Sequence, residues 1–414
     1  MAWNPPQRPG WLARLNAHGL AVGGPENLVS LNPAELIQTA MASTGGLDDF
    51  GATDLSDWQT WFEVLARSLD TESQLHAVGR LLARHDLLRC LRNRLQLAAL
   101  WKTRPAVLET ELLPPSFVVG TARSGTSILS ELLALDPDAR TPALWEMLHP
   151  VESLQDEALR APGHSETALM EDLTPEYATM HENSGDLPNE CLYMMMNTFI
   201  SDIWGGSHFT PSYDKAMLRA DHRPVYAYHK KILQTLQHRG AERCSRWGLK
   251  APSHLALLEE LFSVYPNAWV IRIHRDPLKS LPSTISLMGT LKRMRCADVD
   301  VTRNAERQSE GTAYMFEQEI AKRSDGRVPN DRFIDVHYHE LMRDPLATVQ
   351  SIYDRTGWRL QDEVAGKIEA YVRDRPRGTH GTHQYSLASM GFDHDRERER
   401  FRFYCEHFDV PEET

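Results

Sequence analysis

The segment Gly120-Thr-Ala-Arg123-Ser124-Gly125-Thr126-Ser127 has the Gly-x4-Gly spacing of a loop that binds an anion. In such a loop, successive backbone N–H groups and the N-terminus of the following helix converge on one negative group. The positive charge comes early, on Arg123. A nucleoside triphosphatase instead places lysine after the second glycine, where this chain has Thr126. Nor does any strand end in an aspartate suited to magnesium, since the candidate second strand closes on His274-Arg275. Both departures argue against ATP or GTP and make a nucleotide kinase or NTPase the weaker alternative. A second polar pair, Arg275 and Ser283, lies eight residues apart across a strand-to-helix turn. A guanidinium fork matches phosphate bidentately and a hydroxyl adds a neutral donor, so together they could hold a phosphate. The same Arg-Asp-Pro start is also ordinary helix-capping chemistry.

Such turns need a frame that gathers strand ends and helix starts. Residues 32 to 102 read as helix: Asp57-Trp-Gln-Thr-Trp61-Phe62 opens an amphipathic run, and Leu75 to Leu100 carries apolar residues every three or four positions. Arg104-Pro105 and Leu113-Pro114-Pro115 then punctuate, and Ser116 to Val119 is a short apolar strand. The boundaries that follow are a helical N-terminal segment over 1–112 and an α/β domain over 113–414. Within the latter, 151–245 is an insertion, lid-like or substrate-binding, with an apolar patch from Leu192 to Ile200. Further helices are expected from Tyr226 to Gln237, from Leu255 to Tyr265, and from Pro345 to Thr356, closed by Gly357; further strands from Ala268 to His274 and from Arg332 to His339. This alternation implies a three-layer α/β/α fold with a central parallel sheet and a phosphate-binding loop resembling a P-loop. Asp393 to Arg402 reads as a solvated, charged helix.

Composition bounds the partners. The chain has 414 residues, 41% hydrophobic and 25% charged, ordinary values for a folded protein. Its net charge of −12 disfavours nucleic acid and anionic lipid, so an anionic ligand must meet a local basic cluster. No signal-peptide pattern opens the sequence, and its most apolar stretch, Cys191 to Trp204, is broken by Asn197, Ser201 and Asp202, so no membrane insertion is expected. Cys90, Cys191, Cys244, Cys296 and Cys405 form no CxxC pair, which points to a reducing, cytoplasmic location. His337 with His339 and His380 with His383 have spacings a metal could use, but a third ligand is not evident and no metal is expected.

Taken together and in order, Arg123-Ser-Gly-Thr-Ser127, Lys250-Ala-Pro-Ser-His254, and Val270-Ile-Arg-Ile-His-Arg275-Asp-Pro with Ser283 resemble the sulfotransferases that use 3′-phosphoadenosine 5′-phosphosulfate (PAPS). Arg377-Gly378-Thr-His380, followed by Tyr385-Ser386-Leu387, is similar to the family's basic loop over the 3′-phosphate, so the resemblance covers most of residues 113 to 405. It is nearest to the branch with arginine in the first loop, which includes the tyrosylprotein sulfotransferases and many bacterial enzymes. The resemblance implies PAPS as cofactor and 3′-phosphoadenosine 5′-phosphate (PAP) as product. It puts Arg123, Ser124, Gly125, Thr126 and Ser127 around the 5′ end, and Arg275, Ser283, Arg377 and Gly378 around the 3′-phosphate. Glu146, 23 residues beyond Arg123, takes the place of the family's general base, and Lys250, 25 residues before Arg275, that of a lysine at the bridging oxygen. His149 is the rival base, because the cytosolic branch uses histidine. The expected acceptor is a small or lipid-like hydroxyl compound; Met194 to Met196 either lines its pocket or belongs to the core. Asp186 to Glu190, with His181, resembles a segment near the acceptor and carries no assigned role. A non-catalytic nucleotide-binding protein of the same fold is the remaining alternative. Oligomeric state is not legible.

Overall fold

The computed structural model describes the whole chain except residues 1–2, 4, 52–56, 153–159, 181–183, 239–243, 376–385 and 414. Its centre is a five-stranded sheet of β1 (Pro115–Val119), β2 (Ala139–Arg140), β3 (Arg246–Lys250), β4 (Trp269–His274) and β5 (Phe333–His337), in the order β2-β3-β1-β4-β5. Every pairing is parallel. Parallel strands need crossovers, and the helices that supply them cover both faces. Side chains alternate accordingly: Phe117, Val270 and Phe333 pack into one core, while Val118, Ile271, Ile334 and Val336 pack into another on the opposite face. The expected three-layer architecture is therefore the observed one.

The strand order reverses direction at β1. From β1 the chain moves outward to β2 and back to β3 on one side, then crosses to β4 and β5 on the other. Loops leaving the carboxyl ends of β1 and β4 diverge there and open a crevice, the usual ligand position in such sheets.

The N-terminal segment forms the helices Gly10–Ala21, Pro33–Ser43, Trp58–Thr71 and Ala77–Thr103. Side-chain caps begin three of them: Asn32 accepts from the Glu35 N–H, Asp57 from Thr60 and His76 Nδ1 from Gly79. The long helix packs directly on the α/β part. Asn93 Nδ2 donates to Leu148 O at 2.8 Å and to Asn197 Oδ1 at 3.0 Å, and the buried Arg94 lies between the rings of Trp58 and Tyr228.

Two expectations need correction. The charged run near the C-terminus does form a helix, His394–His407, but it is docked rather than solvated throughout: Phe401 and Tyr404 are buried, and Glu397 is buried against Ser309 and Arg400. The helix expected from Leu255 to Tyr265 is split, a short turn over Pro252–Leu255 preceding Leu258–Val264. Met194, Met195 and Met196 are all buried in the hydrophobic cores.

Candidate active site

After β1 the backbone twice enters the left-handed region, at Arg123 (φ 65°) and at Gly125 (φ 102°). A side chain makes that region unfavourable, so its use at Arg123 marks a loop shaped for something other than its own stability. Such a turn directs backbone N–H groups to one side, and the helix Thr126–Ala134 adds the unpaired N–H groups of its first turn. Gly125 is required a second time by space, since a Cβ there would lie 2.8 Å from Cδ2 of Tyr338. Ser124 is buried and turned inward, its Oγ donating to Thr121 O at 2.7 Å, so it shapes the loop from behind.

The loop after β4 is bound to the first. Asp276 caps the helix Pro277–Arg293, accepting from the Leu278 N–H at 3.0 Å, and so fixes Arg275 immediately before the helix. Arg275 Nη1 donates to Arg123 O at 2.6 Å, Arg123 Nε donates to Ser283 Oγ at 3.2 Å, and Thr284 Oγ1 donates to Ala122 O at 3.0 Å. Arg275 also stacks over the Tyr338 ring at 3.9 Å and forms a two-bonded ion pair with Glu413, Nε to Oε1 at 2.9 Å and Nη2 to Oε2 at 3.0 Å. Arg123 Nη1 donates to Met180 O at 2.5 Å, which brings the insertion down onto the loop.

Lys250, the last residue of β3, completes this group. Only 2% exposed, it donates from Nζ to Ser127 Oγ at 3.3 Å and to Glu190 Oε1 at 3.1 Å. Its position follows from pairing: Val118 of β1 is in register with Lys250, so both strands release their chains into the crevice at the same level.

Glu146 lies on the helix Leu144–Leu148, one turn past β2. Arg140 holds its carboxylate at both oxygens, at 2.5 and 3.0 Å, and the Ala143 N–H donates to Oε2 at 2.8 Å. His149, just past the same helix, lies instead between two carboxylates, Nδ1 at 3.2 Å from Glu152 and Nε2 at 3.3 Å from Glu166. Burial opposes charge on this imidazole, but the bonds to Glu152 and Glu166 outweigh it and raise its pKa above the ordinary value. The hydrogen bond from His149 is likewise the main reason that Glu152 falls to about 2.

Of the residues singled out from the sequence, Arg123, Arg275 and Ser283 are joined by direct bonds, and Lys250 is bonded separately to Ser127, in the first turn of the helix that Gly125 and Thr126 begin. Arg377, Gly378, His380, His383, Tyr385 and His181 lie outside the described residues. Among the described residues no group of three or more His, Cys, Asp or Glu side chains is placed to hold a metal, and no helix is long and apolar enough to cross a membrane. Sequence reasoning missed Tyr338, Arg140 and Glu413, and left Glu190 without a role. Glu190 carried a signal, its place in the Asp186 to Glu190 segment; Arg140 lies six residues from Glu146, and Tyr338 and Glu413 are joined to the site by folding alone.

Both the sequence and the fold are matched in known proteins. The profile of the sulfotransferase family matches residues 114–362, and the chain belongs to that family. Sulfuryl transfer is thus the chemistry of its class. Among its relatives are the omega-hydroxy-beta-dihydromenaquinone-9 sulfotransferases Stf3 of Mycobacterium bovis and Mycobacterium tuberculosis, each 25% identical over 285 residues, covering 66% of this chain and 70% of the relative. The fold is similar to the crystal structures of sulfotransferase STF1 from Mycobacterium tuberculosis H37Rv (TM-score 0.76, 28% identity, 89% of this chain and 97% of that one) and STF9 from Mycobacterium avium (TM-score 0.79, 26% identity, 91% and 97%).

Proposed function

We propose that the chain transfers the sulfuryl group of PAPS to the hydroxyl of an apolar, lipid-like acceptor, in line and without a metal. The observation that carries this reading is the joining of two anion-binding loops into one site through the 2.6 Å bond from Arg275 to the carbonyl of Arg123. A ligand bearing anionic groups at both ends of an adenosine suits that arrangement better than a triphosphate, which would call for a lysine where the first loop has Thr126 and a strand-end aspartate where β4 closes on His274, Asp276 being used as a helix cap.

PAPS supplies an activated sulfuryl group, and the residues present fit it chemically. The left-handed turn at Arg123 and Gly125 and the helix start at Thr126 and Ser127 offer backbone donors to the 5′ end. Arg275 and Ser283 offer a guanidinium fork and a hydroxyl to the 3′-phosphate. Lys250, buried and fixed beside Ser127, neutralises charge on the oxygen that leaves with the adenosine bisphosphate. Glu146 takes the proton from the acceptor hydroxyl as the new O–S bond forms. His149 is the poorer base, because both of its ring nitrogens face carboxylates that favour the protonated ring. The lipid-like acceptor is argued from the menaquinone-derived substrate in the name of the mycobacterial relatives.

Calorimetry with PAP, adenosine 5′-phosphate and ATP tests the cofactor, and turnover of PAPS in excess EDTA tests the metal. Tight binding of PAP with at least a tenfold preference over the nucleotide lacking the 3′-phosphate is expected. Equal binding of ATP, or turnover that needs magnesium, refutes the reading. Offering an ω-hydroxylated prenyl quinol, a simple phenol and a tyrosine peptide side by side tests the acceptor; preference for either of the last two removes the lipid assignment.

A further inference from the structure

A lysine side chain as buried as that of Lys250 needs polar partners at hand, because a charge taken out of water is costly unless it is paired. Among the described residues the helix Thr126–Ala134 presents it with the Ser127 hydroxyl, which is uncharged, and the insertion presents Glu190. The neighbouring Cys191 thiol is pushed up by burial to about 12 and stays neutral. Burial likewise raises the Tyr177 and Tyr193 phenols near Glu190, which stay neutral too. Glu190 is therefore the anion bonded to Lys250.

Its placement is held by backbone. Cys191 N donates to Lys250 O at 2.9 Å, tying the insertion to the end of β3. A few residues earlier the same stretch is tied to the helix of Glu146: Leu144 N donates to Leu187 O and Trp145 N to Gly185 O, both at 3.0 Å, with a bridge between Ala143 and Pro188. Residues 185 to 191 thus clamp the elements that carry Glu146 and Lys250, and the Glu190 carboxylate projects from the clamp with about a quarter of its surface exposed.

We propose that Glu190 is a positioning residue for sulfuryl transfer, acting through Lys250. It anchors the ammonium beside Ser127, ready for the leaving oxygen, and it does so from the insertion expected to frame the acceptor. The assignment of Lys250 to the leaving oxygen rests on the function proposed above; the pairing itself does not.

Two measurements test it. In the ligand-free protein, acetylation of Lys250 at pH 7, followed by peptide mass spectrometry, should be at least about fivefold faster in Glu190→Gln than in the wild type, with Glu190→Asp close to the wild type. Equal rates in all three overturn the proposal whatever the protein binds. In turnover, Glu190→Gln should lower kcat about ten- to a hundredfold with PAP affinity unchanged or tighter, and should have almost no further effect in a Lys250→Met background. Losses that simply multiply in the double variant overturn it, as does weakened PAP binding with unchanged kcat. Should Glu190→Gln fail to fold, Glu190→Ala carries the same comparison. If the wild type proves not to bind PAP while Lys250 remains protected by Glu190, the cofactor assignment falls and the pairing stands.

Discussion

Arg123 holds a backbone conformation that costs roughly 1–2 kcal/mol for a residue with a side chain. Gly125 holds a similar one at no such cost, but directly beneath the Tyr338 ring. Gly125→Ala should therefore be doubly penalised, by conformation and by a contact at 2.8 Å with a ring that also supports Arg275. The expected result is a loss of about 1–3 kcal/mol in denaturant unfolding and a fall in PAP affinity of at least tenfold. Glu146 differs because its carboxylate is already occupied by Arg140 and the Ala143 N–H. If it is the proton acceptor, Glu146→Gln should lower kcat about a hundredfold or more while PAP binding, followed by calorimetry, stays within twofold. A matching fall in thermal stability with kcat unchanged would reduce Glu146 to a helix cap. The loop and the second arginine were legible from residue types and spacing. Tyr338 and Glu413 were not, because their relation to the site exists only after segments distant in sequence are brought together; Arg140 lies only six residues before Glu146, but an i to i+6 spacing marks no pairing until the turn between them is folded.

At the scale of elements, β1, β4 and β5 were readable from their apolar residues; β1 and β4 are buried along almost their whole length, while β5 exposes Asp335 at its centre. β3 was not, since Arg246, Gly248 and Lys250 break the run; its cations are tolerated only because Asp136 and Tyr353 meet Arg246 while Ser127 and Glu190 meet Lys250. β2, two residues long at the sheet edge, leaves almost no pattern to read. The insertion helix Arg160–Leu173 docks through charge: Glu166 bonds both His85, on the long N-terminal helix, and His149. Both imidazoles titrate above the ordinary histidine value, His85 chiefly through its bond to Glu166, His149 because its two carboxylate bonds overcome burial. A pKa raised in the folded state means stability that is complete below about pH 6.5 and lost as pH rises through the folded values. Glu152 acts in the opposite sense: its contribution is complete above about pH 4.5 and is lost as pH falls toward about 2. Melting curves should thus show Tm declining as pH rises above about 6.5, and Glu166→Gln should flatten that decline; an unchanged slope would mean that these histidines do not set it.

Across the whole molecule, the sheet and the C-terminal helix meet around an ion pair with no exposure at all, Arg272 of β4 with Glu319 of the helix Ala305–Ser324, beside Tyr404. Glu319→Ala leaves a buried guanidinium without its carboxylate and should cost about 3–5 kcal/mol in urea unfolding. The C-terminal helix then delivers its trailing segment back to the crevice, where Arg398 grips Asp276, the Glu413 N–H donates to the same carboxylate, and the Glu413 side chain occupies the fork of Arg275. On the function proposed above, that arrangement would make ligand entry an exchange of tenants. A phosphate that takes the Arg275 fork evicts Glu413, and the residues after Phe408 lose a main tether. Most ligands shield a protein from proteases; here, adding PAP should make that final stretch easier to cut while the rest of the chain grows harder.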